Sequence, residues 1–272
     1  DMPGHQLAAL AAMPNLGCTG GPYKVGTVWG VYDDILCLGN EDTYKFCEDV
    51  LSELIDIFPS EVIHIGGDEA PTVRVEHCPK CQALMQREHL TPKNIQGYFT
   101  NRIEKFVNSK GRRIMGWDEI MDGDINTSAM VHCWRNPSFG IKAAQKGHDV
   151  VLSPTKYCYF DFYQANPRAV HEPLAIGGYL PVDSVYNMDT MPKDISPENR
   201  KHIIGIQANL WTEYVAVPNH AEYMLLPRMA ALAENAWVKD RGPYSAFLPR
   251  LTRLKSLYDV YNLHYANHVW KK

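Results

Sequence analysis

The chain has 272 residues, 45% of them hydrophobic, which supports a large buried core and excludes a disordered chain. A formal net charge of -4 and a pI near 6.3, with lysines and arginines scattered, exclude the basic footprint of a nucleic-acid or anionic-membrane binder and point to a neutral or small partner. No apolar run approaches the roughly 18 residues of a membrane span and no signal peptide is read, although a chain that opens on Asp1 leaves room for a targeting segment removed upstream.

In chain order, the first strong pattern is at 41–58, where Tyr44, Cys47, Val50, Leu51, Leu54, Ile55 and Phe58 fall at helical spacing. A short buried strand is predicted at 61–66; it breaks on Gly66 and Gly67 and delivers two adjacent carboxylates, Asp68 and Glu69. Thr91 as N-cap with Pro92 at the first helical position predicts a helix that puts Ile95, Phe99, Ile103 and Phe106 on one face and stops at Gly111. Strands follow at 112–117, 129–134 and 149–153, with a helix from Pro137 to Gly147. A fifth strand is expected at 203–211, then a helix at 219–237 bent at Pro227, and a last helix over "YSAFLPRLTRLKSLYDVY". There are no repeats, low-complexity tracts or linkers, so a single domain segment over 1–272 is expected. Strand and helix alternation with five short apolar strands predicts an α/β fold with a parallel sheet.

Seven cysteines, Cys18, Cys37, Cys47, Cys78, Cys81, Cys133 and Cys158, are too few for a disulfide scaffold, and an odd set leaves at least one unpaired. The Cys78-Pro-Lys-Cys81 pair has zinc-ribbon or redox spacing, but zinc needs two more ligands and there is no second CxxC. The pair is therefore expected to shape a loop. No metal and no cofactor are expected.

Each strand ends in something chemical. The first ends in Asp68 and Glu69, the second in "GWDEI" with Trp117, Asp118 and Glu119, and the third in "HCWR" with Trp134. The fourth runs into Tyr157, Tyr159 and Asp161, and the fifth ends in "LWTE" with Trp211 and Glu213. An open sheet gathers its loops at one switch point, whereas a barrel uses every strand's carboxyl end, so the pattern favours a barrel. Tryptophan faces flanked by acids suit a sugar, whose C–H face lies on indole while its hydroxyls bond carboxylates. Glycoside cleavage needs a proton donor for the leaving oxygen and stabilisation of positive charge at the anomeric carbon. Neighbouring residues of an extended chain point opposite ways, so Asp68 and Glu69 share a site only if the glycines turn the backbone there. Even then they are poorly placed as two opposed carboxylates, which points to a substrate that supplies its own nucleophile.

Other readings exist for the same residues. "GGDE" occurs in nucleotide cyclases, but a hairpin and a following Phe belong to that motif and here Ala70-Pro71 follows. Adjacent acids also bind Mg²⁺ in enolase-like barrels, where ligands come from separate strands and a catalytic Lys or His is needed. His64, inside the strand, reads as a satisfied buried histidine, Asp118 and Glu119 as supporting or salt-bridged groups, and Tyr157 and Tyr163 as packing.

Taken together and in order, "DMPGH" at the start, "HIGGDEA" at 64–70, "GWDE", the Tyr159-x-Asp161 pair and "LWTE" resemble the family 20 glycoside hydrolases, the β-N-acetylhexosaminidases. The resemblance implies a (β/α)8 TIM barrel of which this chain supplies roughly strands 4 to 8 with their helices and the end of strand 3. It implies an exo-acting enzyme that removes terminal β-linked N-acetylhexosamine from oligosaccharides or glycoconjugates with retention. By the same resemblance Glu69 is the general acid/base, Asp68 orients the substrate's 2-acetamido group, and Tyr159 hydrogen-bonds the acetamido oxygen. Trp117, Trp134 and Trp211 would box the acetamido methyl and sugar ring, Asp161 and Glu213 would hold sugar hydroxyls, and His5 would stand behind the acid/base. An extracytoplasmic location is implied as well. A barrel without its first strands implies a segment weak in catalysis that associates through open edges. A sugar-binding barrel without activity is the rival class.

Overall fold

A computed structural model describes residues 1–271. Five strands, β1 (Val62–His64), β2 (Arg113–Trp117), β3 (Met130–Cys133), β4 (Val150–Leu152) and β5 (Ile203–Ile206), follow one another through a sheet in the order β1-β2-β3-β4-β5. β1 pairs in parallel with β2, and β2 with β3, with Ile63 opposite Ile114 and Gly116 opposite Val131. The order never reverses, so no switch point exists among the described residues, and this is the pattern of a barrel wall. The helices are α1 (Leu7–Ala12), α2 (Glu41–Ile57), α3 (Pro79–Arg87), α4 (Ile95–Ser109), α5 (Pro137–Gln145), α6 (Thr155–Cys158), α7 (Val182–Tyr186), α8 (Pro218–Leu225), α9 (Arg228–Trp237) and α10 (Tyr244–Val260). None is long and apolar enough to cross a membrane.

The chain divides into two compact units, Asp1–His132 with Lys142–Val150, and Cys133–Ile141 with Val151–Lys272. In the first unit, Asn40 caps α2 by accepting from the Asp42 N–H, and Glu41 and Asp42 sit in the first turn where the helix dipole favours acids. α4 packs on α2 and β2, burying Phe99, Ile103 and Val107 with Tyr44, Leu51 and Ile114. Each such side chain contributes roughly 1.5–3 kcal/mol of burial. α4 begins at Ile95, later than the Thr91 cap predicts, because Thr91 to Asn94 close a turn of their own in which the Thr91 hydroxyl donates to the Asn94 side-chain oxygen at 3.1 Å. Its end is as expected: Gly111 holds φ +72°, a left-handed stop.

In the second unit α7 packs on α9, with Val185, Tyr186 and Leu232 buried. The helix expected at 219–237 is two helices, since Leu226 is extended and Pro227 has no N–H to continue α8. β5 ends at Ile206, short of the expected 211; beyond it Gln207 donates to Leu152 and Asn209 to Cys158, so Trp211 lies on a loop.

Candidate active site

The turn after β1 is built by glycine and by the chain's first residues. Met2 donates its N–H to Ile65 at 2.8 Å and Gly67 donates to the Asp1 carboxylate at 3.0 Å, so the Asp1–His5 segment lies along the strand end. Gly66 and Gly67 hold φ +75° and +97°, the left-handed region in which a side chain is strained. A Cβ on Gly4 would lie 2.8 Å from the Asp68 carbonyl oxygen, so only glycine lets the two segments pass this closely. The result is the reversal that the sequence requires. Asp68 and Glu69 both reach His5, whose Nε2 is 3.6 Å from Asp68 Oδ2 and 3.3 Å from Glu69 Oε2.

His5 and Glu69 are themselves left-handed, at φ 55° and 45°. Such backbone costs of order 1–3 kcal/mol per residue and gathers at functional sites. Burial raises the Glu69 carboxyl above the usual range, and the Asp68 charge adds to this, while His5 works against both. The hydrogen bond to Asp68 is the main reason that His5 is raised, and burial opposes it. Asp68 Oδ1 is buried with no hydrogen-bond partner among the described residues, an acceptor held ready for a donor.

Beside this cluster Trp117 is buried, stacked on His132 with centroids 4.3 Å apart and edge-on to His64 at 4.8 Å. Gly66 donates its N–H to His64 Nδ1 at 3.0 Å, which leaves the proton on Nε2, and Nε2 faces His132 Nδ1 at 3.1 Å. His64 therefore donates to His132. His64 is exposed at its place in the strand, yet desolvation by the surrounding protein pushes it down to about 4, and burial pushes His132 to about 3. Both are neutral at ordinary pH; His64 has hydrogen-bond partners, as its place in the strand suggests, but it is exposed and not buried, because it is the last residue of a three-residue strand.

In the second unit the residues after β4 form another group. Tyr159 pairs with Asn209: Phe160 donates to the Asn209 carbonyl at 2.7 Å and Asn209 to Cys158 at 2.8 Å. The Tyr159 ring stacks with Trp134 at 6.0 Å and 24° and meets Trp211 at 6.4 Å. Asp161 is buried, with Oδ1 lacking a hydrogen-bond partner among the described residues. Burial first, and the Glu213 charge after the opposing backbone hydrogen bond, push its carboxyl up to about 6. Glu213 and Trp211 are exposed.

Two residues that sequence reasoning missed hold this group. Arg228 is fully buried and donates to the carbonyls of Phe162 at 2.9 Å, Leu180 at 3.2 Å and Met224 at 3.1 Å, and to that of Phe160. It thus clamps the backbone on both sides of Asp161. Asn209 anchors Tyr159 and bonds the Ser153 hydroxyl at 3.3 Å. The signal for Arg228 was its place in an apolar stretch, "MLLPRMAAL", where a surface arginine has no reason to be. The structure thus brings together His5, Asp68, Glu69 and Trp117 in one unit, and Trp134, Tyr159, Asp161, Trp211 and Glu213 in the other.

The model of the glycosyl hydrolase family 20 catalytic domain matches residues 1–240. The chain belongs to this family. It is 38% identical over 268 residues to a beta-hexosaminidase of Porphyromonas gingivalis, an alignment that covers 97% of this chain and 34% of that protein. A beta-hexosaminidase of Vibrio furnissii is 35% identical over 240 residues, with 86% of this chain and 39% of that protein covered. The solved structure of a family 20 exo beta-N-acetylglucosaminidase from Vibrio harveyi in complex with N-acetylglucosamine matches with a TM-score of 0.83 at 30% identity, over 98% of this chain and 42% of that one. The chain thus spans between a third and two fifths of the length of the curated relatives named here. The five strands in sequence order are part of a (β/α)8 barrel, as expected from the strand-end chemistry.

Proposed function

We propose that the protein to which this chain belongs is an exo-acting β-N-acetylhexosaminidase that hydrolyses terminal β-linked N-acetylhexosamine with retention. The observation that carries the reading is the Asp68-Glu69 pair: one carboxyl raised by burial and its neighbour's charge, the other with a buried, unpartnered oxygen, both against His5. Two acids on adjacent residues cannot flank a glycosidic bond from opposite faces. Family 20 is a known exception to the two-carboxylate scheme, with the substrate's acetamido group as nucleophile. Glu69 is then the acid that protonates the leaving oxygen as the C–O bond breaks, and its raised pKa keeps the proton available.

Asp68 accepts from the acetamido N–H, which makes the carbonyl oxygen a better nucleophile toward the anomeric carbon. The Tyr159 hydroxyl donates to that oxygen and fixes its approach. Water then opens the cyclic oxazolinium intermediate, with Glu69 taking the proton, and the two inversions at the anomeric carbon give net retention. Trp117, Trp134 and Trp211 offer faces to the acetamido methyl and the ring, and Asp161 and Glu213 take hydroxyls. The roles of these residues, in both units, come from membership of the family together with the local geometry of each set.

Hydrolysis of a chromogenic N-acetyl-β-glucosaminide, followed by NMR of the first-formed product, tests the reading. The β-anomer should appear first; an α-anomer, or no hydrolysis by the full-length protein, would overturn it.

A further inference from the structure

Outside the site just described, four of the seven cysteines converge. The sequence shows only the Cys78-Pro-Lys-Cys81 pair and no second CxxC, but the fold supplies the two missing sulfurs from separate turns, Cys18 and Cys37. The four Sγ atoms lie within 4.8 Å of one another, with Cys37 to Cys78 at 3.6 Å, Cys37 to Cys81 at 3.7 Å and Cys18 to Cys81 at 3.9 Å. Sulfurs bound tetrahedrally at the zinc–thiolate distance of 2.3 Å stand about 3.8 Å apart. Three of the four residues are buried and Cys18 is half-buried.

We propose that Cys18, Cys37, Cys78 and Cys81 bind one structural zinc ion. The distances favour this over two disulfides, because Cys37 is as near to Cys78 as to Cys81, and Cys81 nearly as near to Cys18. Disulfides would pair the sulfurs uniquely at about 2.05 Å. Zinc displaces the four thiol protons and leaves a tetrathiolate centre of net charge -2. The surroundings suit that charge. Cys78 and Cys81 open α3, at the positive end of the helix dipole, and the Gly39 N–H faces the Cys81 sulfur as a donor. Gly39 itself must be glycine, since a Cβ there would lie 2.2 Å from the Lys80 carbonyl carbon, so the loop is pressed onto the Cys78–Cys81 turn.

The ion would brace the catalytic turn without touching it. Cys37 donates its N–H to Leu16, and its neighbour Leu36 donates to the Pro3 carbonyl at 3.1 Å, next to Gly4 and His5. Cys78 closes the loop that starts at Asp68, and Arg74 in that loop pairs with Asp34 at 2.8 Å. One centre thus joins the segment that follows His5 to the segment that follows Asp68 and Glu69. With all four positions taken by sulfur, no coordination site is open for substrate or water, so the role is structural.

The test is the metal content of the protein purified without chelator or added metal. About one zinc per chain is expected, lost in Cys37→Ala and Cys81→Ala and kept in Cys47→Ala, which removes a buried thiol of α2 that is not one of the four. Should the ligand variants fail to fold, exchange of the native ion for Co²⁺ keeps the question open to measurement: the visible absorption of a tetrahedral tetrathiolate is expected, and release of zinc should free four thiols to a thiol reagent. Iron in place of zinc, four reactive thiols in metal-free folded protein, or two disulfides in the mass of the unreduced chain would each overturn the proposal.

Discussion

His5 and Glu69 meet at 3.3 Å while both hold left-handed backbone, so the contact is maintained at a conformational cost on each side. The contact lowers the Glu69 pKa against the raising effect of burial and of Asp68. A general acid must be protonated to act, so with Glu69 in the proposed role the basic limb of kcat/KM should report its carboxyl in the free enzyme. His5→Asn removes a lowering influence and should move that limb to higher pH. Asp68→Asn removes a raising one and should move it lower. The pH profiles of the two variants check both signs, and shifts in the same direction would disprove the assignment.

Leaving-group dependence separates the two acids. Glu69→Gln should lower turnover of a natural disaccharide by about 10²–10⁴ while a glycoside with a good aryl leaving group loses much less, since the latter departs without a proton. Asp68→Asn should slow both substrates alike, because the acetamido group must attack in either case. Steady-state rates on the two substrates decide this.

Tyr159 stacks with Trp134 and meets Trp211 through its ring, so removing the hydroxyl alone should leave the packing in place. Tyr159→Phe should lower kcat by about 10²-fold or more with a small change in KM, the mark of a donor felt in the transition state. A glucoside without the 2-acetamido group lacks the nucleophile and should be turned over very poorly by wild type and variant alike. Comparable rates on the plain glucoside would reject the assisted mechanism.

Arg228 offers a prediction about stability. Burial pushes its pKa down to about 9, so it remains cationic at neutral pH, and its charge is spread over four carbonyls. Arg228→Met would leave the carbonyls of Phe160, Phe162 and Leu180 without this donor, while Met224 keeps Gln164, at about 3 kcal/mol or more. Urea denaturation should show the loss, and Arg228→Lys should recover only part of it, because one ammonium cannot reach the acceptors that a planar fork spans. A change under about 1 kcal/mol would mean that water replaces the guanidinium.

The five strands and the long helices were legible because alternating short apolar runs and helical spacing are local properties of the chain. The acid pair was legible for the same reason: Gly66, Gly67, Asp68 and Glu69 are contiguous, and only a turned backbone gives them a shared use. Features assembled from distant positions were not. Cys18 and Cys37 carry no spacing signal, and they join Cys78 and Cys81 only once the turn at Gly17, the loop before Asn40 and the start of α3 are folded together. α3 itself hid behind Pro79 and a polar face. The Thr91 cap was a fair local inference that lost to Asn94, whose side chain closes a separate turn and postpones the helix. Arg228 sits in an apolar stretch, and what it binds is backbone, which no side-chain pattern encodes.

The neutral His64–His132 pair has a consequence for spectroscopy. With Gly66 holding the His64 tautomer and desolvation keeping both rings far below their usual titration range, their imidazole resonances should stay flat across the span in which ordinary histidines move. They lie beside Trp117, one of the residues assigned to the sugar. The two rings should therefore serve as native reporters that respond to ligand while staying silent to acidity around neutral pH, so a sugar titration followed through them can be compared across that range.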